Sequence, residues 1–273
     1  MDEITDNDIL VIPEVWTHYA GDILAKRTVI WWLSVDYALG DMRGQRFLPQ
    51  LLRRAYKIAG TRIKEYRLIS RLRRLPEIVH VAQSHYAFTR LAEWGFSPMM
   101  LTDYLPQQFI FDEHDTTLDR INSIVYNPAK GLDLTQSLLD AWDKSLFTPI
   151  LGLDRAGVAK LLRTSKIYLD LGHHPGRDRL PREAATAGCV VLVSKRGSAA
   201  NEIDVPLGDE YKVQCSHERV DVHALRSRLT AILEDFPLHQ KAQEPFRMGI
   251  ARQADQFHLE VRALLDRIEL CKD

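Results

Sequence analysis

The sequence predicts an α/β fold with two domains, each built on a parallel sheet between helices. Short apolar runs of strand length alternate with amphipathic segments along most of the chain, and this alternation is typical of parallel sheets. The chain has 273 residues, of which 45% are hydrophobic and 27% are charged. That length is sufficient for two small domains with separate cores. We expect a first domain over residues 1–112, a second over 113–240 and a closing helix over 241–273.

The first half contains the strands and helices of one α/β layer. Apolar, β-branched runs predict strands at residues 9–13, 28–35, 77–82 and 99–105. Ser84 is placed to cap a helix over Tyr86–Trp94, and Gly95 ends it. The polar and acidic stretch 112–120 then reads as the linker between the domains.

The segment 43–74 is the most strongly charged part of the chain. It contains eleven Lys or Arg residues against one acid, Glu65, and its apolar residues recur at helical spacing. Such charge usually marks a solvated helix face. The alternative is a helix lying in the plane of an anionic membrane, where each basic residue contributes about 1 kcal/mol. RNA binding is disfavoured because few aromatic residues are interleaved with the basic ones.

The second half repeats the alternation of strand and helix. Strands are predicted at residues 121–126 and 147–151, and helices at 134–142 and 154–163, the latter capped by Asp154. Two amphipathic helices, over 222–236 and 246–270, close the chain.

The unit from Lys166 to Val193 contains the clearest functional pattern. A buried strand ends at Gly172, a glycine-bearing loop follows, and a helix starts near Pro181 and stops at Gly188 before the next strand. Glu183 is expected in the first turn of that helix, where the helix dipole stabilises an anion by about 0.3–1 kcal/mol. A loop that joins a strand to a helix N-terminus is a site for phosphate, because free backbone N–H groups point towards it.

Several motifs resemble GT-B glycosyltransferases, especially the retaining group that uses nucleotide-sugar donors. The matching segments are Leu180-Pro-Arg-Glu183-Ala, Gly188-Cys-Val-Val and Gly197-Ser198. A second match covers Ala82-Gln-Ser-His-Tyr86 with the following helix and strand, which resemble the last βαβ unit of a GT-B first domain. The resemblance implies two Rossmann-like α/β/α domains facing a cleft, with the C-terminal helix crossing back to a shortened first domain.

The same resemblance implies roles for residues of the second domain. Glu183 would bind the ribose of the donor, and Lys130 followed by Gly131 matches a Lys-Gly signature beside the donor diphosphate. The family usually has a second carboxylate eight residues before Glu183, and this chain has Pro175 there, with His173 and His174 beside it. We take His173, His174 and Lys130 as candidate catalytic residues. The candidate donor-binding residues are Lys130, Gly131, Gly176, Arg177, Arg179, Leu180, Glu183, Gly197 and Ser198.

The fixed charges of Arg177 and Arg179 suit a diphosphate, although salt bridges near Asp178 are an alternative. No Asp, Glu or Cys appears at metal-ligand spacing from the adjacent histidines, so we expect no metal and no other cofactor. In the first domain, His18, Asp36 and Trp32 are candidate acceptor-side residues near predicted strand ends. A base among them would serve an inverting enzyme, whereas the resemblance is to the retaining group. Trp31 is expected in the core and Trp32 in the cleft wall.

Composition limits the setting in which the protein acts. A net charge of −1 gives no general reason to expect nucleic acid as a partner. Cys189, Cys215 and Cys271 form no Cys-x-x-Cys pair, so the sequence suggests neither a disulfide framework nor a zinc site, and a reducing compartment fits. No run approaches the roughly 20 apolar residues of a membrane span, and the acidic amino end is unlike a signal peptide. We therefore expect a cytoplasmic location, with peripheral binding at the inner face of a membrane.

The function implied by the resemblance is transfer of a sugar from a nucleotide-sugar donor to a glycan or lipid-linked acceptor. Retention, independence from metal and a place in bacterial surface-polysaccharide synthesis follow from the same resemblance. Two alternatives remain open. A nucleotide-sugar epimerase would turn over the donor alone, and a non-catalytic nucleotide-sugar-binding subunit of a partner enzyme would bind nucleotide without turnover.

Overall fold

A computed structural model describes residues 8–21, 27–39, 50–110, 119–216 and 219–270, without the side chains of 50–60, 108, 216 and 270. It divides the chain into two compact units. The first comprises the chain up to Thr102 together with the segment from Leu259 onward, and the second is Asp103–His258. Most of the predicted linker, 112–120, lies outside the described residues.

The boundaries of the units differ from the predicted ones at two places. The first unit ends at Thr102 rather than at residue 112, and the C-terminal segment joins it from Leu259 rather than from residue 241. Phe246 and Ile250 explain the second difference, because both are buried in the hydrophobic core of the second unit. The chain between 241 and 258 therefore belongs with the second sheet.

The first unit contains four strands and the helices that follow them. The strands are β1 (Leu10–Pro13), β2 (Thr28–Trp32), β3 (Val79–Ala82) and β4 (Met99–Met100). The helices are α1 (Val35–Ala38), α2 (Gln50–Leu72) and α3 (His85–Glu93), with a 3-10 helix at Glu14–Tyr19. All neighbouring strands pair in parallel, in the order β1-β2-β3-β4. The predicted cap of α3 is confirmed, since the Ser84 hydroxyl accepts a hydrogen bond from the backbone N–H of Ala87.

The second unit contains a five-stranded parallel sheet and a small hairpin. The sheet strands are β5 (Ile121–Tyr126), β6 (Phe147–Pro149), β7 (Ser165–Asp170), β8 (Val190–Ser194) and β9 (Lys212–Val213), and the hairpin strands are β10 (Cys215–Ser216) and β11 (Arg219–Val220). The helices are α4 (Leu132–Ala141), α5 (Arg155–Thr164), α6 (Arg179–Thr186), α7 (Val222–Glu234), α8 (Phe236–Ala242), α9 (Glu244–Ala251) and α10 (Gln253–Leu270), of which α10 ends in the first unit.

The sheet order β6-β5-β7-β8-β9 places β5, β7 and β8 side by side. Every residue of β8 is buried, as expected for a central strand covered by helices on both faces. The single helix predicted over 246–270 is instead α9 and α10, and α8 was not predicted. Its sequence signal is Pro237 in the first turn, a position where proline suits a helix start. In the described ranges, no helix is long and apolar enough to cross a membrane.

Candidate functional site

Two loops meet at the carboxyl ends of β5 and β7. Gly131 has a positive φ of 60°, and a Cβ added to it would lie 2.6 Å from the backbone nitrogen of Gly172. A Cβ on Gly172 would in turn lie 2.7 Å from Cβ of Lys130. Neither position accepts a side chain, so the two loops pack backbone against backbone. This contact places Lys130 beside the loop that leads into α6.

A third loop, after β8, holds the loop from Gly172 to Asp178 from the other side. A Cβ added to Gly197 would lie 2.0 Å from the carbonyl oxygen of His174. The backbone N–H of Ser198 donates to that carbonyl at 2.8 Å, and the Ser198 hydroxyl donates to the carbonyl of Gly176 at 2.5 Å. Both predicted donor-binding residues of this loop, Gly197 and Ser198, thus fix the shape of its neighbour.

A chain of charged groups connects the loop after β5 with the loop after β7. The ammonium of Lys130 contacts Oδ2 of Asp178, which also lies 2.7 Å from Nδ1 of His174. On the opposite side of the imidazole, Nε2 of His174 lies 3.7 Å from Oδ1 of Asp170. His174 and Asp170 are each 2% exposed, so this end of the network is buried, whereas Lys130 and Asp178 are partly exposed. The buried imidazole therefore stands between two carboxylates.

The surroundings of Asp178 favour its charged form. Burial alone would raise the pKa of Asp178, but the hydrogen bond from His174 and the charges of His174 and Lys130 lower it below 3.8. Asp170 accepts hydrogen bonds from the backbone N–H of Gly172 at 2.9 Å and from the Tyr168 hydroxyl at 3.1 Å. Burial, followed by the charge of Asp170, raises the pKa of Tyr168 well above 10. Tyr168 thus remains a neutral hydrogen-bond donor.

Two carboxylates do lie close enough to His174 to share a metal ion with it, so the prediction that no acidic residue stands at metal-ligand spacing was wrong. Asp170 and Asp178 stand four residues before and after His174, and each of the three residues offers one ligand atom within 4.8 Å of the others. Both carboxylates were overlooked because the spacing becomes compact only when the loop folds back on itself. Lys130 already supplies a positive charge to this cluster through Asp178.

The helix α6 begins at Arg179, so Glu183 lies in its second turn and not in the first. The expected stabilisation by the helix dipole is therefore wrong, since that effect is confined to the first turn. Glu183 is instead held by Arg179, whose guanidinium donates to its Oε1 at 2.8 Å and lies over the ring of Phe109. Glu183 is only 9% exposed. The ion pair with Arg179 holds its carboxylate in one orientation. Asp178 occupies the N-cap position without a capping hydrogen bond, because its side chain points to His174 and Lys130.

The remaining candidates of the second unit have different surroundings. His173 is exposed and Arg177 is partly buried, and both belong to the loop from Gly172 to Asp178. Leu180 packs against the hydrophobic core, so its contribution is to seat α6. Gly176 accepts the Ser198 hydrogen bond through its carbonyl.

Arg182 is a supporting residue that sequence reasoning did not single out. Its side chain is 3% exposed and forms a salt bridge to Asp103 at 2.7 Å. It also donates to Gln253 at 2.9 Å and to the carbonyl of Arg177 at 3.0 Å. Because it is buried and bonded to several partners, Arg182 holds the loop before α6 in place. Its only signal in the sequence is its place next to Glu183.

In the first unit, the structure corrects the assignment of the tryptophans. Trp32 is fully buried and donates to Nδ1 of His80 at 3.1 Å, whereas Trp31 is partly exposed. Trp32 is therefore a core residue and cannot contact an acceptor. Asp36 accepts a hydrogen bond from the Tyr86 hydroxyl at 3.2 Å. His18 is exposed in the 3-10 helix after β1, and its ring lies against Tyr19.

Glu14 is a buried carboxylate at the end of β1 that the sequence analysis missed. It is 3% exposed and accepts a hydrogen bond from the backbone N–H of Leu33 at 2.9 Å. Burial raises its pKa above the ordinary value of 4.5. Its bond to the segment after β2 ties together the carboxyl ends of two adjacent strands.

Neither a protein-family model nor a curated protein sequence matches the chain. Solved structures do match it over nearly its whole length. Sucrose-phosphate synthase from Thermosynechococcus elongatus is 13% identical with a TM-score of 0.60, over 94% of this chain and 74% of that chain. HepE of Anabaena, solved in complex with UDP-glucose, is 13% identical with a TM-score of 0.61, over 94% and 78%.

A third structure is WaaG, a glycosyltransferase involved in lipopolysaccharide biosynthesis. It is 14% identical with a TM-score of 0.55, over 91% of this chain and 79% of that chain. At such low identity these matches establish architecture and not activity. Two parallel α/β sheets and these structural neighbours show that the chain has the GT-B glycosyltransferase fold that its sequence motifs predicted.

Proposed function

We propose that the protein is a glycosyltransferase that takes a sugar from a nucleotide-sugar donor. The observation that carries the proposal is the meeting of three glycine-containing loops at the carboxyl ends of β5, β7 and β8, with Lys130 among them. In open parallel sheets, ligands bind outside the carboxyl ends of the strands. The neighbour HepE was solved with UDP-glucose, which supports a donor of that chemical class.

The basic groups at this edge suit the leaving diphosphate. Lys130 and Arg179 are partly exposed, and the backbone N–H groups at the start of α6 add positive potential. These groups would stabilise the negative charge that develops as the glycosidic bond loosens. Transfer would then proceed with retention and without a metal. The fixed carboxylate of Glu183 would accept hydrogen bonds from the ribose hydroxyls of the donor.

The proposed acceptor is a glycan or lipid-linked sugar, in bacterial surface-polysaccharide synthesis on the cytoplasmic face of a membrane. Support comes from α2, where Arg62, Lys64 and Arg67 are exposed beside Ile63 and Tyr66, which are 53% and 73% exposed. Basic residues next to exposed apolar ones suit an anionic bilayer surface. The side chains of Arg53, Arg54 and Lys57, in the first part of α2, lie outside the described residues.

Thermal denaturation with nucleotides tests the donor site, because a ligand that binds only the folded state raises the melting temperature. Nucleoside diphosphates should raise it more than the matching nucleosides. Lys130→Gln should reduce that difference, whereas Lys144→Gln, at a surface position outside these loops, should leave it unchanged. Equal shifts for nucleoside and nucleoside diphosphate would contradict the phosphate assignment.

A non-catalytic nucleotide-sugar-binding subunit is the second candidate. It is favoured by Pro175, which stands where the family usually has a carboxylate, and by the engagement of Lys130 with Asp178. Incubation with radiolabelled nucleotide sugars and a lipid-extract acceptor separates the two. Label in the acceptor fraction supports a transferase, whereas nucleotide binding without product supports the subunit. Conversion of the donor alone would identify an epimerase.

A further inference from the structure

The first unit contains a cavity of about 810 Å³ at the edge of its sheet opposite to the carboxyl ends. Its wall includes the first residues of three adjacent strands: Thr28 of β2, Val79 of β3 and Met99 of β4. The ends of α2 and α10 and the turn after α3 complete it. The volume lies in the range of small-molecule sites, roughly 300–1,000 Å³. The cavity is thus separate from the acceptor-side candidates His18 and Asp36, which follow β1 and β2.

Apolar side chains form much of the cavity wall. They come from α2, from the loop that follows it, from the turn after α3, from β4 and from α10: Leu72, Leu75, Ile78, Phe96, Met99 and Ile268. An apolar lining of this size favours a ligand with an apolar body.

The charged residues of the cavity are mainly positive. Arg27, Arg73 and Arg267 line it, against the single acid Glu77. Arg73 is held in place by donating to the carbonyl of Trp94 at 2.8 Å, which leaves further N–H groups of its guanidinium available. Three arginines in the lining favour a ligand with a carboxylate or phosphate head group, because guanidinium groups bind such anions with charge-assisted hydrogen bonds.

His80 supplies a neutral donor to the same cavity. Its Nδ1 accepts the indole N–H of Trp32, so the proton of the neutral imidazole is on Nε2. Burial lowers the pKa of His80 to about 4, which keeps the ring neutral at pH 7.

We propose that this cavity binds an anionic amphiphile, a molecule with one phosphate or carboxylate head group and an apolar chain. The head group lies among Arg27, Arg73 and Arg267, and the chain lies along the apolar wall. The site is separate from the donor loops, and its occupancy is independent of the proposed transferase activity.

Isothermal titration calorimetry with dodecyl phosphate below its micelle concentration tests the proposal on the full chain. Dodecanoate distinguishes a carboxylate head from phosphate, dodecyl maltoside tests the need for charge, and inorganic phosphate tests the need for the chain. We expect saturable binding of one molecule of dodecyl phosphate or dodecanoate, and much weaker binding of the other two probes. Equal affinity for dodecyl maltoside or for inorganic phosphate overturns the proposal.

Charge reversal on α10 provides a matched pair of variants. Arg267→Glu should weaken dodecyl phosphate binding by about tenfold or more, because it replaces an attractive group with a repulsive one. Arg262 is exposed on the same helix and does not line the cavity, so Arg262→Glu should leave the affinity within about twofold. Ser97→Trp, at an exposed lining residue, should block the cavity without changing its charge. Identical affinities for both charge-reversal variants, or full binding by Ser97→Trp, would show that the amphiphile binds elsewhere.

Discussion

Nδ1 of His174 lies 2.7 Å from Oδ2 of Asp178, and this contact joins the middle of the loop after β7 to the start of α6. The same carboxylate contacts the ammonium of Lys130, which follows β5. One carboxylate therefore links two of the three loops of the proposed donor site. A donor diphosphate that reaches Lys130 would compete with Asp178 for its positive charge.

Asp178→Asn should lower the stability of the fold in a pH-dependent manner. The fold lowers the pKa of this carboxyl from 3.8, so its charge stabilises the fold above that value and the contribution is lost as the pH falls through the lowered pKa. Loss of hydrogen bonds to a charged group costs about 1.5–3 kcal/mol. The melting temperatures of both proteins should differ at pH 7, and the difference should shrink as the pH falls below 3.8. A difference that stays constant over this range would contradict the prediction.

His80 should make the first unit acid-sensitive. Its pKa is about 4 in the fold and 6.5 ordinarily, so the neutral ring contributes stability that is complete above pH 6.5 and is lost as the pH falls towards 4. Each pH unit in this window costs about 1.4 kcal/mol.

Urea denaturation of a Trp142→Phe protein measures this effect, because all four remaining tryptophans belong to the first unit. His80→Asn keeps an acceptor for the indole of Trp32 but cannot titrate. Its unfolding free energy should vary less between pH 7 and pH 5 than that of the parent. Parallel pH profiles would show that His80 does not titrate in this way.

Glu183→Gln should weaken donor binding while the fold remains intact. The amide keeps the size of the side chain but loses the charge that Arg179 holds in place at 2.8 Å. We expect a decrease in nucleotide-sugar affinity of about tenfold, the scale of one charge-assisted hydrogen bond. Glu202→Gln, at an exposed position, is the control, and calorimetry measures both. Unchanged affinity in Glu183→Gln would mean that the ribose binds elsewhere.

Reversal of Arg62, Lys64 and Arg67 to Glu should release the protein from anionic liposomes and spare nucleotide binding. Co-sedimentation of the parent should increase with anionic lipid and decrease with salt, since the Debye length is about 10 Å at 0.1 M. Reversal of Arg155, Lys160 and Arg219 makes the same change in net charge on exposed residues of the second unit. If both triple variants sediment alike, net charge rather than α2 determines the binding.

Local patterns in the sequence were sufficient to predict the fold. Strands such as β5 and β8 are apolar runs with clear ends, and caps such as Asp154 depend on residues three positions apart. The contact between Gly131 and Gly172 joins residues distant in sequence, and no local pattern shows that each glycine is needed because the other is near. The predicted environments of Trp31 and Trp32 were reversed for a similar reason. Adjacent residues of a strand face opposite sides of the sheet, and the sequence pattern does not show which side is buried.

Glu260 connects the two chain segments that form the first unit. Its carboxylate accepts hydrogen bonds from the backbone N–H of Thr102 at 2.6 Å and from the Thr102 hydroxyl at 2.7 Å. The second unit begins after Thr102 and ends before Leu259, so it is an insertion in the first unit. Hydrogen bonds between Thr102 and Glu260 hold the two ends of this insertion close together. Insertions with adjacent ends can be exchanged between proteins without lengthening the host chain. The second unit can therefore be transferred between scaffolds as a single segment of chain.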